Sequence, residues 1–260
     1  MRDGSIAVNL ADFSAGTGYA HVALPGFGGA TAVNRARFLV EPSLLLLLVL
    51  VAVILAYPFL ETSDIGRAGL SAINIGLMIL ALRVIGHTPG LRRAGLLLAL
   101  PPILLHGYYV LSGNAAYGLA TTIALAAYYA FAIGALLAYV LRDDVATTDE
   151  LFATICMYVL IAMLWACLYW VVKYFQPNAF FVNPQNNPDT RVTWWDLLYF
   201  SFTTLTSVGY GEITPVTSHA RSLVMLEQIA GVMYVALLVA RVTSMSMRRE
   251  RRGRGHSGSS

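Results

Sequence analysis

Charge is what this sequence has least of. Asp, Glu, Lys and Arg together make up 12% of its 260 residues, where an ordinary soluble domain carries about 25%. Apolar residues reach 57%, and so large an excess has no soluble surface to sit beneath. A water-soluble globular domain is thereby excluded, and the chain reads as an integral membrane protein. At about 20 residues per span, six or seven spans fit, with no room for a large soluble catalytic or ligand-binding domain. Cysteine is nearly absent as well. Cys156 and Cys167 stand eleven residues apart in one apolar run, about 16 Å if helical, too far for an intrachain disulfide, so both read as packing residues. Catalytic constellations are missing too. His21, His87, His106, His219 and His256 form no ligand spacing, and neither HExxH nor GxSxG occurs. The chain is therefore expected not to be an enzyme and to hold no cofactor. The net charge of +3 has a local source, since five arginines crowd into positions 248 to 254. That makes one basic tail, not a face for nucleic acid, and no nucleic-acid partner is expected.

What is present is a succession of long apolar runs. Residues 1–40 are rich in Gly and Ala, without sustained periodicity, and read as a disordered tail. Apolar segments follow at roughly 43–60, 68–85, 94–111, 115–141, 151–175 and 220–247, with the charges gathered between them. Six spans are expected: four in a first domain over 41–142, then two in a second over 150–247, with a basic tail at 248–260. The fifth and sixth spans are not joined by a simple loop. After a Pro- and Asn-rich stretch, a short amphipathic run begins at Thr193 and ends in Ser-Val-Gly-Tyr-Gly-Glu. A half-length helix over 194–205 followed by a Gly-punctuated strand is a re-entrant element, tolerated at membrane depth only where protein buries it or it lines water.

Orientation follows from the basic residues. With the amino terminus inside, thirteen of the 17 fall on the inner side, leaving Arg67, Lys173, Arg191 and Arg221 outside. This satisfies the positive-inside rule, places both termini in the cytoplasm, and brings the re-entrant element in from the outside.

The chemistry is concentrated in Thr206, Ser207, Val208, Gly209, Tyr210 and Gly211. A pore that distinguishes potassium from sodium replaces the ion's water with stacked rings of oxygen, and an extended strand supplies them only if successive carbonyls point the same way. Alternating backbone handedness achieves this. Gly209 and Gly211 tolerate positive φ, Val208 and Tyr210 turn their side chains back into supporting protein, and the carbonyls of Ser207, Val208, Gly209 and Tyr210 are left to bind potassium, with the Ser207 hydroxyl available at the inner end.

This stretch resembles the signature of the potassium channels of the tetrameric pore-loop family, with Ser207 in place of the usual Thr. The substitution keeps the hydroxyl and loses the methyl that restricts its rotamer. Resemblance is strong from about 193 to 241 and extends over 151–247. It implies a homotetramer, in which three identical subunits complete each carbonyl ring, and potassium as permeant ion in the plasma membrane (the inner membrane if the cell is bacterial). It also implies that Tyr199 and Phe200 brace the filter from behind, where many members have a Trp pair, that Glu212 forms an acidic ring at the outer mouth, and that Gly231 is the inner-helix glycine where members bend to open. Close helix packing is the competing reading of Gly231.

Thr193 is placed to cap the short helix, with Asp196 in its first turn, and the carboxyl end near Thr206 aims a negative dipole end at a cation. Glu227 is an expensive residue inside a span. It is expected behind the filter, hydrogen-bonded to Thr203 or Thr204; proton-sensitive gating and a lipid-snorkelling position are the alternatives. The fourth apolar segment, 115–141, contains no Lys, Arg, Asp or Glu, so the arginines of a voltage sensor are missing and little intrinsic voltage gating is expected. Residues after the sixth span are too few for a regulatory domain. Their arginines touch anionic lipid or simply fix topology. A weakly selective cation channel and, more remotely, a secondary transporter are the alternative functions. The transporter would require a second interrupted segment, for which Pro101-Pro102 is the only candidate.

Overall fold

The computed structural model describes residues 41–60, 64–85, 88–141, 147–185, 187 and 191–257. The expected tail over 1–40 lies outside them. Among the described residues, seven helices and one two-stranded sheet form: α1 (Pro42–Leu60), α2 (Asp64–Ile85), α3 (Pro89–Ser112), α4 (Ala115–Val140), α5 (Thr148–Phe175), β1 (Phe180–Val182), α6 (Trp194–Leu205), β2 (Ile213–Pro215) and α7 (Ser218–Ser257).

Local sequence sets the helix ends. Thr88 accepts from the Leu91 amide ahead of Pro89, while Gly113 closes α3 in the left-handed region at φ 65°. Asn114 caps α4, and Thr147 caps α5, whose first turn holds Asp149 and Glu150 and whose last holds Lys173. Pro101 and Pro102 lie inside α3, which continues through both.

Among the described residues, five helices are long and apolar enough to cross a membrane: α1, α3, α4, α5 and the Ser218–Ala240 part of α7. Within the second expected span, 68–85, the apolar helix among the described residues is Ala72–Val84. The protein is thus an all-helical multi-pass membrane protein apart from one small sheet. That sheet, an antiparallel pair with Phe181 opposite Thr214, was not expected from the Pro- and Asn-rich stretch.

In the first four helices, α4 and α5 pack together, α3 packs on α4, and α1 packs on both α2 and α5. Polar anchors are few but definite. Tyr128 donates to the Met78 carbonyl (2.6 Å) and Tyr129 to Asn74 Oδ1 (3.2 Å), tying α4 to α2. Gly95 lets α3 approach α2 closely, since a Cβ there would stand 2.3 Å from Leu82 Cδ2. Helix α5 is the hub, touching α1, α4, α6 and α7. Near its start the Asp149 carboxylate accepts from the Ser43 amide (3.1 Å) and hydroxyl (2.9 Å) and from Tyr139 (3.0 Å), joining α1, α4 and α5 at one point. At its other end α1 stacks Tyr57 on Trp195 of α6, ring centroids 4.0 Å apart. The first helix therefore touches the α5–α7 region at both of its ends.

Candidate ion-conduction site

The site is built on α6. Its amino end carries a reciprocal cap: the Asp196 amide donates to Thr193 Oγ1 and the Thr193 amide to the Asp196 carboxylate. Its carboxyl end is consumed by the strand that follows. The Thr203 carbonyl accepts both the Val208 amide (2.9 Å) and the Gly209 amide (3.1 Å), and the Thr204 carbonyl accepts the Ser207 amide (3.0 Å). Carbonyls that a helix terminus normally leaves unmatched thus hold the first residues of the strand. Thr206 closes α6, and its hydroxyl donates back to Phe202 (2.7 Å).

Beyond Thr206 the backbone alternates. Ser207, Gly209 and Gly211 have φ of 60°, 54° and 83°, and no other described non-glycine residue besides Ser207 has positive φ. The two glycines adopt this conformation at little cost, whereas Ser207 is held there against a side-chain penalty of about 1 kcal/mol. The left-handed conformation was anticipated at the glycines and missed at Ser207, where residue type alone gives no signal. Val208 and Tyr210 were expected to turn into supporting protein. Within this chain they are instead 53% and 69% exposed.

After Gly211 the chain enters β2, whose partner β1 fixes its exit: the Asn183 amide donates to the Glu212 carbonyl (2.9 Å) and the Val216 amide to the Ala179 carbonyl (2.8 Å). Behind α6, Phe200 is buried in an aromatic trio with Tyr169 of α5 and Phe180 of β1, all centroid distances lying between 5.3 and 5.7 Å. Tyr199 is half-exposed and faces the Glu212 carboxylate. Nearby, Lys173 donates to the Val192 carbonyl and lies over the Trp170 ring at 4.5 Å, which pins the carboxyl end of α5 to the approach to α6.

Glu227 lies fully buried in α7, with partners other than those expected. Its carboxyl oxygens are hydrogen-bonded with the hydroxyls of Tyr169 of α5 and Ser201 of α6, not with those of Thr203 or Thr204. Helix phase explains the difference at Thr203: two residues on from Ser201, it turns to the opposite side of α6, and its backbone carbonyl serves the strand. The need for a hydroxyl on α6 was legible, but composition could not choose among three in four residues, and nothing pointed to Tyr169. Gly231 sits one turn beyond Glu227. A Cβ there would stand 2.2 Å from the Leu205 carbonyl oxygen, so the residue permits close packing of α7 on the end of α6.

A short helix whose carboxyl end holds a left-handed-alternating strand thus stands between two long apolar helices. Residues 151–248 match the family described as "Ion channel". A stretch of 51 residues, 20% of the chain, is 39% identical to the potassium channel protein kcv of Paramecium bursaria Chlorella virus 1, over 53% of that protein. The chain thus spans about half the length of the curated relative it matches. The similarity to ion channels is thus carried by residues 151–248.

Proposed function

We propose that the chain is one subunit of a homotetrameric, potassium-selective channel that conducts passively through Thr206–Gly211. The observation that carries this reading is the left-handed backbone at Ser207, Gly209 and Gly211. With Val208 and Tyr210 between them, this alternation is what turns successive carbonyls of one strand to one side, and four such strands make stacked cages that replace a cation's water. Fourfold assembly is supported by the exposure of Val208 and Tyr210: the packing they need is supplied by neighbouring copies. The same copies cover the exposed apolar face of α7 at Met225, Ile229 and Val232. The negative end of α6 faces the inner end of the strand and favours a cation there, and Glu212 raises cation concentration at the outer mouth.

In this reading α2 completes six spans, both termini are cytoplasmic, and the channel sits in the plasma membrane. The uncharged α4 gives it no intrinsic voltage sensor, and Gly231 remains the place where α7 bends if the pore opens there. A weakly selective cation channel is the second reading. It is favoured by the missing methyl at Ser207 and by Phe200, whose ring packs within the aromatic trio but donates no hydrogen bond.

The test is flux into liposomes holding the purified protein, under a potassium and then a sodium gradient, with external barium as blocker. Potassium flux that barium stops, without sodium flux, supports the selective channel. Equal flux of both ions supports the second reading, and no flux of either rejects both.

A further inference from the structure

Glu227 and Gly231 lie one turn apart on α7, Ser201 and Leu205 one turn apart on α6, and the two pairs abut: Glu227 on Ser201, Gly231 on the Leu205 carbonyl. Along α6 the turn between Ser201 and Leu205 includes Thr203, whose backbone carbonyl holds the amides of Val208 and Gly209. Whatever sets the distance between α6 and α7 therefore sets the seat of the filter.

The hydrogen-bond geometry around Glu227 has one solution that fills every contact. Ser201 Oγ is 2.9 Å from the Ala162 carbonyl and 2.5 Å from Glu227 Oε1, yet it has a single hydrogen. A carbonyl can only accept, so the Ser201 hydrogen belongs to Ala162 and the hydrogen in the second contact must come from Glu227. Tyr169 then donates to Oε2. A charged carboxylate would instead have two neutral donors and no cation. The groups facing it are the phenols of Tyr169 and Tyr158 on α5 and the hydroxyl of Ser201 on α6. On the same elements Lys173 is engaged at Val192 and Trp170, Asp196 caps α6, His219 pairs with Gln176, and Arg221 reaches Pro215. An isolated charge so fully buried is strongly disfavoured.

We propose that Glu227 carries a proton in the conducting channel, and that this proton fastens α6 to both α5 and α7, making Glu227 a positioning residue for the filter. The chain runs from Glu227 through Ser201 to Ala162 and, on its other oxygen, to Tyr169. Removing the proton forces Ser201 to turn away from Ala162 and leaves a full negative charge among neutral groups. The seat of the filter then loosens, and conduction falls as pH rises. The inference rests on the channel reading, but the proton itself has a signature that needs no conduction.

The experiment compares the wild-type protein with Glu227→Gln, which supplies an amide donor and cannot ionise. Infrared spectra should show the carbonyl band of a buried protonated acid in the wild type at neutral pH and lack it in the variant. Potassium flux of the wild type should fall about tenfold as pH is raised above neutrality until that band is lost, whereas the variant should conduct near the wild-type neutral rate without that slope. A missing wild-type band at neutral pH overturns the proposal, as does a Gln variant whose flux keeps the wild-type slope. Should the variant fail to assemble, the joint loss of band and flux in the wild type still decides. Absence of flux in every sample while the band is present rejects the channel reading and leaves the proton standing.

Discussion

The two halves of this molecule bury polar groups in different ways. Helices α1–α4 present long apolar faces, such as Leu97, Leu100 and Leu104 of α3, and are cross-tied by isolated hydrogen bonds from tyrosines. The α5–α7 half instead spends nearly every polar group near α6 on a contact that fixes backbone position: the Thr193–Asp196 cap, the Thr203 carbonyl shared by two amides, and Glu227 between two helices. The difference teaches where ion chemistry is held. A bundle that only has to sit in lipid tolerates many side chains of similar volume, whereas a strand that has to aim its own carbonyls is fixed atom by atom.

The largest expected effect that would break this contrast lies in the strand. Gly209→Asp places a side chain at φ 54° and a carboxylate against neighbouring copies of itself, and should abolish potassium flux while leaving a membrane-inserted protein. Flux from reconstituted vesicles checks it. Next is Gly231→Ala, whose Cβ meets backbone and not a flexible side chain. Overpacking of about 3 kcal/mol is expected, seen as a marked fall in the thermal unfolding temperature in detergent. Phe200→Ala empties the aromatic trio and should cost about 3 kcal/mol, with increased sodium permeation that the bundle variants do not show.

Asp149 lies at the start of α5, where its carboxylate ties in α1 and α4 of the other half. Asp149→Ala removes the acceptor of the Ser43 amide and hydroxyl and of the Tyr139 hydroxyl and should lower stability by about 1–2 kcal/mol without altering potassium selectivity. Smallest of all, Leu97→Ala on the exposed face of α3 should change unfolding by no more than about 0.5 kcal/mol. An Asp149 or Leu97 variant that shifted ion selectivity would end the division of labour drawn here.

The same contrast governs what was legible in the sequence. The strand could be read because Gly at alternate positions is a statement about backbone conformation, and Thr193 with Asp196 could be read because capping is local. Apolar periodicity located the helices but said little of their neighbours. It gave no warning that Tyr57 stacks on Trp195 or that Asp149 gathers α1, α4 and α5, since those contacts join residues more than a hundred positions apart or separated by a turn. Ser207 shows the limit most sharply. Its left-handed conformation is imposed by the amide contacts with Thr203 and Thr204, not by its own preference. The sheet of β1 with β2 was missed for a related reason: three-residue strands carry almost no periodicity of their own and exist through their pairing.

The central claim is that the backbone of Ser207–Gly211 selects potassium. The most direct measurement is the reversal potential of the purified protein in a planar bilayer with potassium on one side and sodium on the other. A reversal potential displaced far toward that of potassium, with all current lost in Gly209→Asp, is the result predicted. A reversal near zero, or a current that survives the substitution, would contradict it.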